Sequence, residues 1–167
     1  MVYKTHLVAK IFKFNAEKAG ITIETKKMNQ LIYIANGICL SKKSVPLVDE
    51  APIAHISGMF FPMLCIAEFN DPKLDKGFKQ ASYFCHSDDP IYSNTYTEQY
   101  TSTEDSKIIN NVWIDFGNHT VADLEKFTMD TTSAWYQTRL NYRGPLPINA
   151  VISTDLIKEE FKKKAWS

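Results

Sequence analysis

The sequence predicts a mainly α fold, a compact helical bundle of about six to seven helices with a long irregular middle segment that has room for a short hairpin. Three observations predict it. Apolar residues recur at helical spacing through the first and last thirds of the chain. Gly and Pro punctuate the ends of those stretches. The segment from Asn70 to Thr103 contains Pro72, Gly77 and Pro90 and sustains no period. A hydrophobic content of 44% and an aromatic content of 13% belong to a chain that buries a core, and 167 residues suit one domain spanning 1–167.

Between Tyr3 and Ala19, Leu7, Val8, Ile11 and Phe12 share one helical face, and Gly20 supplies a stop. Thr22 or Thr25 can cap a second helix, whose Met28, Leu31, Ile32, Ala35, Ile38 and Cys39 follow the i, i+3, i+4, i+7 pattern. Pro46, Pro52 and Gly58 make the next stretch an ordered connector with room for a short strand. A nearly continuous apolar run predicts a short core helix from about Phe61 to Phe69, with Pro62 in its first turn. For the middle segment two readings stand: a hairpin around Gln80 to His86, or a contact segment built on the tyrosine-rich run.

The last third returns to helices. Ile108, Ile109, Val112, Trp113 and Phe116 form a stripe that Gly117 can end in a left-handed conformation. Thr120 then caps a helix with Asp123 at its third position. A helix around Trp135 to Leu140 ends before Arg143-Gly144-Pro145. In the final helix Ser153 caps, Ile152 can staple to Ile157, and Lys162 to Lys164 favour the negative end. The mixed charges from Lys158 to Lys164 read as a solvated face. Leu31, Ile38, Ile109, Trp113 and Phe161 are the expected core.

Nineteen basic residues balance nineteen acidic ones, so nucleic acid is not an expected partner. Cys39, Cys65 and Cys85 lack the paired spacing of a disulfide framework, and charges interrupt the N-terminal apolar residues too often for a signal peptide. No uncharged apolar run approaches the roughly 20 residues of a membrane span. A cytoplasmic protein without membrane contact is the expectation.

His6, His55, His86 and His119 are scattered, and Cys85-His86 are neighbours whose side chains diverge on an extended segment. Cys39 and Cys65 lie on apolar faces, which favours burial. No phosphate loop, dinucleotide fingerprint or metalloprotease helix is present. The expectation is therefore no catalytic residue, no metal and no cofactor. Hydrolysis by a cysteine and a distant histidine is the enzyme alternative.

Several motifs stand in order along the chain: Lys27-Met28-Asn29-Gln30-Leu31-Ile32-Tyr33 with Ala35, then Pro46-Leu47-Val48-Asp49-Glu50, then Ala54-His55-Ile56-Ser57-Gly58-Met59-Phe60. In the second half Trp113, Phe116-Gly117, Val121-Ala122-Asp123-Leu124, Thr128 and Ser133-Ala134-Trp135 follow. Taken in this order they resemble the Panacea (SocA-like, phage-associated) antitoxin family. Met59, Met129 and Ala134 depart from the family's proline, histidine and proline. The resemblance implies an antitoxin that contacts a cognate toxin, or an adaptor of phage origin that delivers a partner to a host protease.

For partner contact the sequence offers Gly58, Phe60 and Phe61 in the connector, Tyr96 and Tyr100 with Tyr92 in the tyrosine-rich run, and Trp135. Aromatic groups on breaker-rich segments beside a rigid scaffold suit an interface. Lys27 and Tyr33 on the second helix form a rival contact face. Core packing is the first reading of Tyr33, Phe60, Phe61 and Trp135, solvation that of Lys27. For the three tyrosines, contact and closure over the core weigh equally.

Overall fold

The computed structural model describes residues 1–67 and 101–164, with side chains described through Leu64 in the first stretch. These residues form seven helices and one two-stranded sheet, the mainly α architecture expected. The helices are α1 Thr5–Ala19, α2 Thr25–Lys43, α3 Pro62–Ala67, α4 Thr103–Phe116, α5 Val121–Thr128, α6 Ala134–Asn141 and α7 Thr154–Lys163. The strands are β1 Ile53–His55 and β2 Gly58–Phe60. The possible hairpin around Gln80 to His86, Cys85-His86 and the tyrosine-rich run lie outside the described residues.

The bundle is organised around α2. Helices α7, α4, α5 and α1 and strand β2 all pack on it, and every residue from Lys27 to Leu40 is buried. Its apolar side chains supply core contacts, while its amides brace the connector. Asn36 Oδ1 accepts from the Leu47 N–H at 2.8 Å, and Asn29 Oδ1 accepts from the Phe61 N–H at 2.7 Å. Buried backbone donors need such acceptors, so two asparagines one heptad apart hold residues 46–61 on the bundle. The helix starts from Glu24 without a side-chain cap, not from a capping Thr22 or Thr25. Thr25 is itself the first helical residue, and its carbonyl accepts from Asn29 Nδ2 at 2.9 Å.

Leu31, Ile38, Ile109 and Phe161 are buried as expected. Trp113 is not: it is partly buried and packs against the edge of the core, because Val112 and Phe116 point the helix inward and Ile114 beside it faces solvent. Gly117 also departs from expectation. It is right-handed, at φ −57°, and glycine matters there for space, since a Cβ would lie 2.5 Å from the Trp113 carbonyl oxygen. The end of α4 is satisfied by Lys27, whose Nζ donates to the Gly117 carbonyl at 2.5 Å, a cation at the negative end of a helix.

The charged run of α7 is not a simple solvated face. Glu160 is buried, accepting from the Tyr33 hydroxyl at 2.6 Å and from the Ala134 N–H at 3.0 Å. Lys164 closes the network, 2.6 Å from the other Glu160 oxygen and 2.5 Å from the Phe127 carbonyl it donates to. Ser153 caps α7, Ile152 and Ile157 are buried beside it, and Thr120 caps α5 by accepting from the Asp123 N–H.

Candidate partner-binding groove

Helix α6 is capped by Ser133, whose hydroxyl oxygen accepts from the Tyr136 N–H at 3.1 Å. This places Trp135 in the first turn, pointing inward beneath the β1–β2 hairpin, and its indole N–H donates to the His55 carbonyl at 2.8 Å. One turn later the Arg139 guanidinium lies 5.1 Å from the Trp135 ring, in the range of cation–π attraction. After Asn141 the backbone becomes extended at Tyr142, and Gly144, Pro145 and Pro147 prevent a further helix.

The hairpin forms the opposite wall. Ile53 pairs with Phe60, Ala54 with Met59 and His55 with Gly58, around a turn at Ile56 and Ser57. Gly58 has a φ of +135°, which favours glycine. The outer edge of β1 meets residues 150–152: the Ala54 N–H donates to the Ala150 carbonyl at 2.8 Å and the Ile152 N–H to the Pro52 carbonyl at 2.9 Å. The returning chain is thereby fixed beside the hairpin.

Between the walls lies a groove of about 690 Å³, lined by Ile53, Ile56, Phe60, Pro62, Leu146 and Ile148 among others. Its rim is apolar and exposed, with Ile56 70% and Ile148 94% accessible. Tyr142 and Val151 add exposed apolar area nearby. Apolar side chains gathered at a rim in this way mark an interaction surface, whereas one scattered exposed isoleucine, such as Ile114, needs no explanation.

No group of three or more His, Cys, Asp or Glu close enough to hold a metal occurs among the described residues. Burial, with the Asp105 carboxylate close by, pushes the Cys39 thiol up to about 11, so at neutral pH it is protonated and a poor nucleophile.

Residues 28–136 match the antitoxin SocA-like, Panacea domain family. The chain belongs to that family. No curated protein and no solved structure matches it. The match runs from α2 through the hairpin and into α6, so one wall of the groove lies inside the Panacea domain match and Arg139 to Ile148 lie beyond it.

The contact residues expected from the sequence separate into scaffold and groove. Tyr33 and Phe61 are fully buried, and Lys27 is buried against α4, so all three hold elements together in this structure and none lies at its surface. Phe60 lines the groove, Gly58 shapes the hairpin turn and Trp135 supports the floor; these three the fold does bring together. Tyr96 and Tyr100 lie outside the described residues. Of the departures, Met59 and Ala134 are buried, and Met129 packs so that its sulfur would lie 3.4 Å from a Cβ at Gly58.

Ile56, Arg139, Tyr142 and Ile148 are groove residues the sequence reading passed over. A signal for them was present. Pro145-Leu146-Pro147-Ile148 puts apolar residues where neither a helix nor a ladder can bury them, two residues after an arginine.

Proposed function

We propose that this Panacea chain, acting as a single cytoplasmic domain without a cofactor, neutralises a cognate toxin by direct contact through the groove between the hairpin and α6. The exposed apolar rim at Ile56 and Ile148 carries the reading. In a chain of an antitoxin family it is a surface whose burial would be favourable, at about 25 cal/mol per Å² of apolar area. The scaffold beneath is tied by hydrogen bonds, so little conformational freedom is lost on binding.

The test is co-expression with the gene beside it. The wild-type chain should relieve growth arrest, and Ile56→Asp with Ile148→Asp should not, because charges in the interface centre weaken binding by about 2 kcal/mol or more. Since both side chains are exposed, the melting temperature should stay within a degree or two. Neutralisation by the double variant equal to wild type would refute the placement. Wild-type neutralisation that disappears in a host lacking one of its proteases would favour the adaptor reading.

A further inference from the structure

We propose that the partner segment seated in this groove is an apolar peptide stretch carrying a carboxylate, which Arg139 and Arg143 receive at the groove's mouth. The inference rests on the contact reading above and specifies the chemistry of the partner.

The basic residues are distributed unevenly by type. Of nineteen, only two are arginine, Arg139 and Arg143, and they stand four residues apart beside the groove; the other seventeen are lysines spread along the chain. Arg139 lines the groove, and Arg143 stands between the lining residues Tyr142 and Gly144. Both are exposed. A cation near the end of α6 is favoured by the helix dipole, but lysine would serve that purpose equally. What arginine adds is a planar fork that binds a carboxylate through two hydrogen bonds and lies flat on an aromatic ring.

The local geometry uses both properties. Arg139 sits over Trp135, itself buried and tethered to the hairpin backbone, so the guanidinium is oriented before any partner arrives. Among the described residues neither arginine has an ion-pair partner and no acidic residue lines the groove. Elsewhere lysines are matched: Lys4 with Asp49, Lys26 with Glu125, Lys43 with Asp105 and Lys164 with Glu160. Two unneutralised positive charges at one end of an apolar trough are complementary to an apolar segment with one negative group. A nucleic acid would need a longer basic track, and the molecule's net charge of zero provides none.

The experiment uses the full chain, ¹⁵N-labelled, titrated with three apolar hexapeptides, the first two blocked at both ends and the third at its N-terminus only. One carries a central aspartate, one an asparagine in its place, and one no side-chain carboxylate but a free C-terminus. The reporters are the Trp135 indole N–H and the Arg139 Nε–H. At least one carboxylate peptide should bind tenfold or more tightly than the asparagine peptide, and which of the two does so identifies a side-chain or a terminal carboxylate as the source. R139Q with R143Q should erase the preference and leave the melting temperature unchanged. Binding of neither carboxylate peptide more tightly than the asparagine peptide, a preference that survives the double substitution, or stronger binding to anionic vesicles or single-stranded oligonucleotides would overturn the proposal. Co-expression separates the two readings. Loss of neutralisation with Ile56→Asp and Ile148→Asp, but not with R139Q and R143Q, would leave the groove as the contact site and refute the carboxylate. Retention with the isoleucine variant would refute the groove as the neutralising contact, and the peptide ranking would then decide the arginine chemistry.

Discussion

Tyr33 is fully buried in the middle of α2, and its hydroxyl finds Glu160, 127 residues away. Burial, reinforced by the nearby Glu160 charge, raises its pKa well above the ordinary tyrosine value, so it acts as a permanent donor. Tyr33→Phe removes one of two donors to the same Glu160 oxygen and leaves the Ala134 N–H. The expected loss is about 1–3 kcal/mol in urea unfolding, the cost of under-satisfying a buried acceptor. Ala134→Pro would remove the other donor and should cost a similar amount. Gly37 illustrates a different constraint, because a Cβ there would lie 2.2 Å from the Phe161 ring. Backbone and ring face each other across α2 and α7, so Gly37→Ala should destabilise by about 1–3 kcal/mol through overpacking. A melting curve superimposable on wild type would show that α7 can shift to make room. Neither role was legible in the sequence. Periodicity identifies the helix that carries a residue, but not the distant residue its polar tip or missing side chain accommodates.

At the scale of elements, legibility follows the reach of the signal. The long helices announce themselves through their apolar period, and Gly20 and the caps Thr120 and Ser153 mark ends through chemistry within a few residues. The hairpin, with three residues in each strand, is too short to show an alternating pattern, and only its breakers pointed to an extended connector. The anchoring of α4 was also invisible, because Asp105 gathers partners from three separate segments. It accepts from the Tyr3 hydroxyl at 2.8 Å, the Ser102 hydroxyl at 2.7 Å and Lys43 Nζ at 2.5 Å. Burial alone would raise the Asp105 pKa, but the bonds from Lys43, Ser102 and Tyr3 outweigh it and hold the carboxyl below its ordinary value of 3.8. A carboxyl lowered in the folded state stabilises above its unfolded pKa and loses that contribution as pH falls through the folded value. Acid titration should therefore release Tyr3 and the start of α4 below about pH 4. Asp105→Asn should be less stable than wild type at pH 7 and show a smaller fall in stability between pH 5 and pH 3. Parallel pH profiles for the two proteins would show that other carboxylates govern the acid transition.

The groove belongs to the whole molecule, since its walls are distant in sequence and no local pattern predicts their meeting. Trp135 was legible as an aromatic of interest, but whether it faced a partner or the interior depended on His55, eighty residues away, whose carbonyl takes its indole proton. That bond, with the Ala54 to Ala150 and Pro52 to Ile152 backbone bonds, couples α6, the hairpin and the returning chain into one rigid trough. Trp135→Phe tests the coupling with little change in packing. It keeps an apolar ring in the core, removes the indole donor and takes away much of the platform under Arg139. The part-buried His55 carbonyl then loses its indole donor, at a cost of about 1 kcal/mol. If the trough is held as a unit, the Ala54 and Ile152 amides should exchange with deuterium faster in the variant, at a rate raised more than that of Leu31 in the centre of α2. Toxin neutralisation should weaken along with this local opening, because a groove whose walls separate must be reordered on binding. Equal acceleration at all three amides would mean that Trp135 stabilises the fold globally and does not set the shape of the groove in particular.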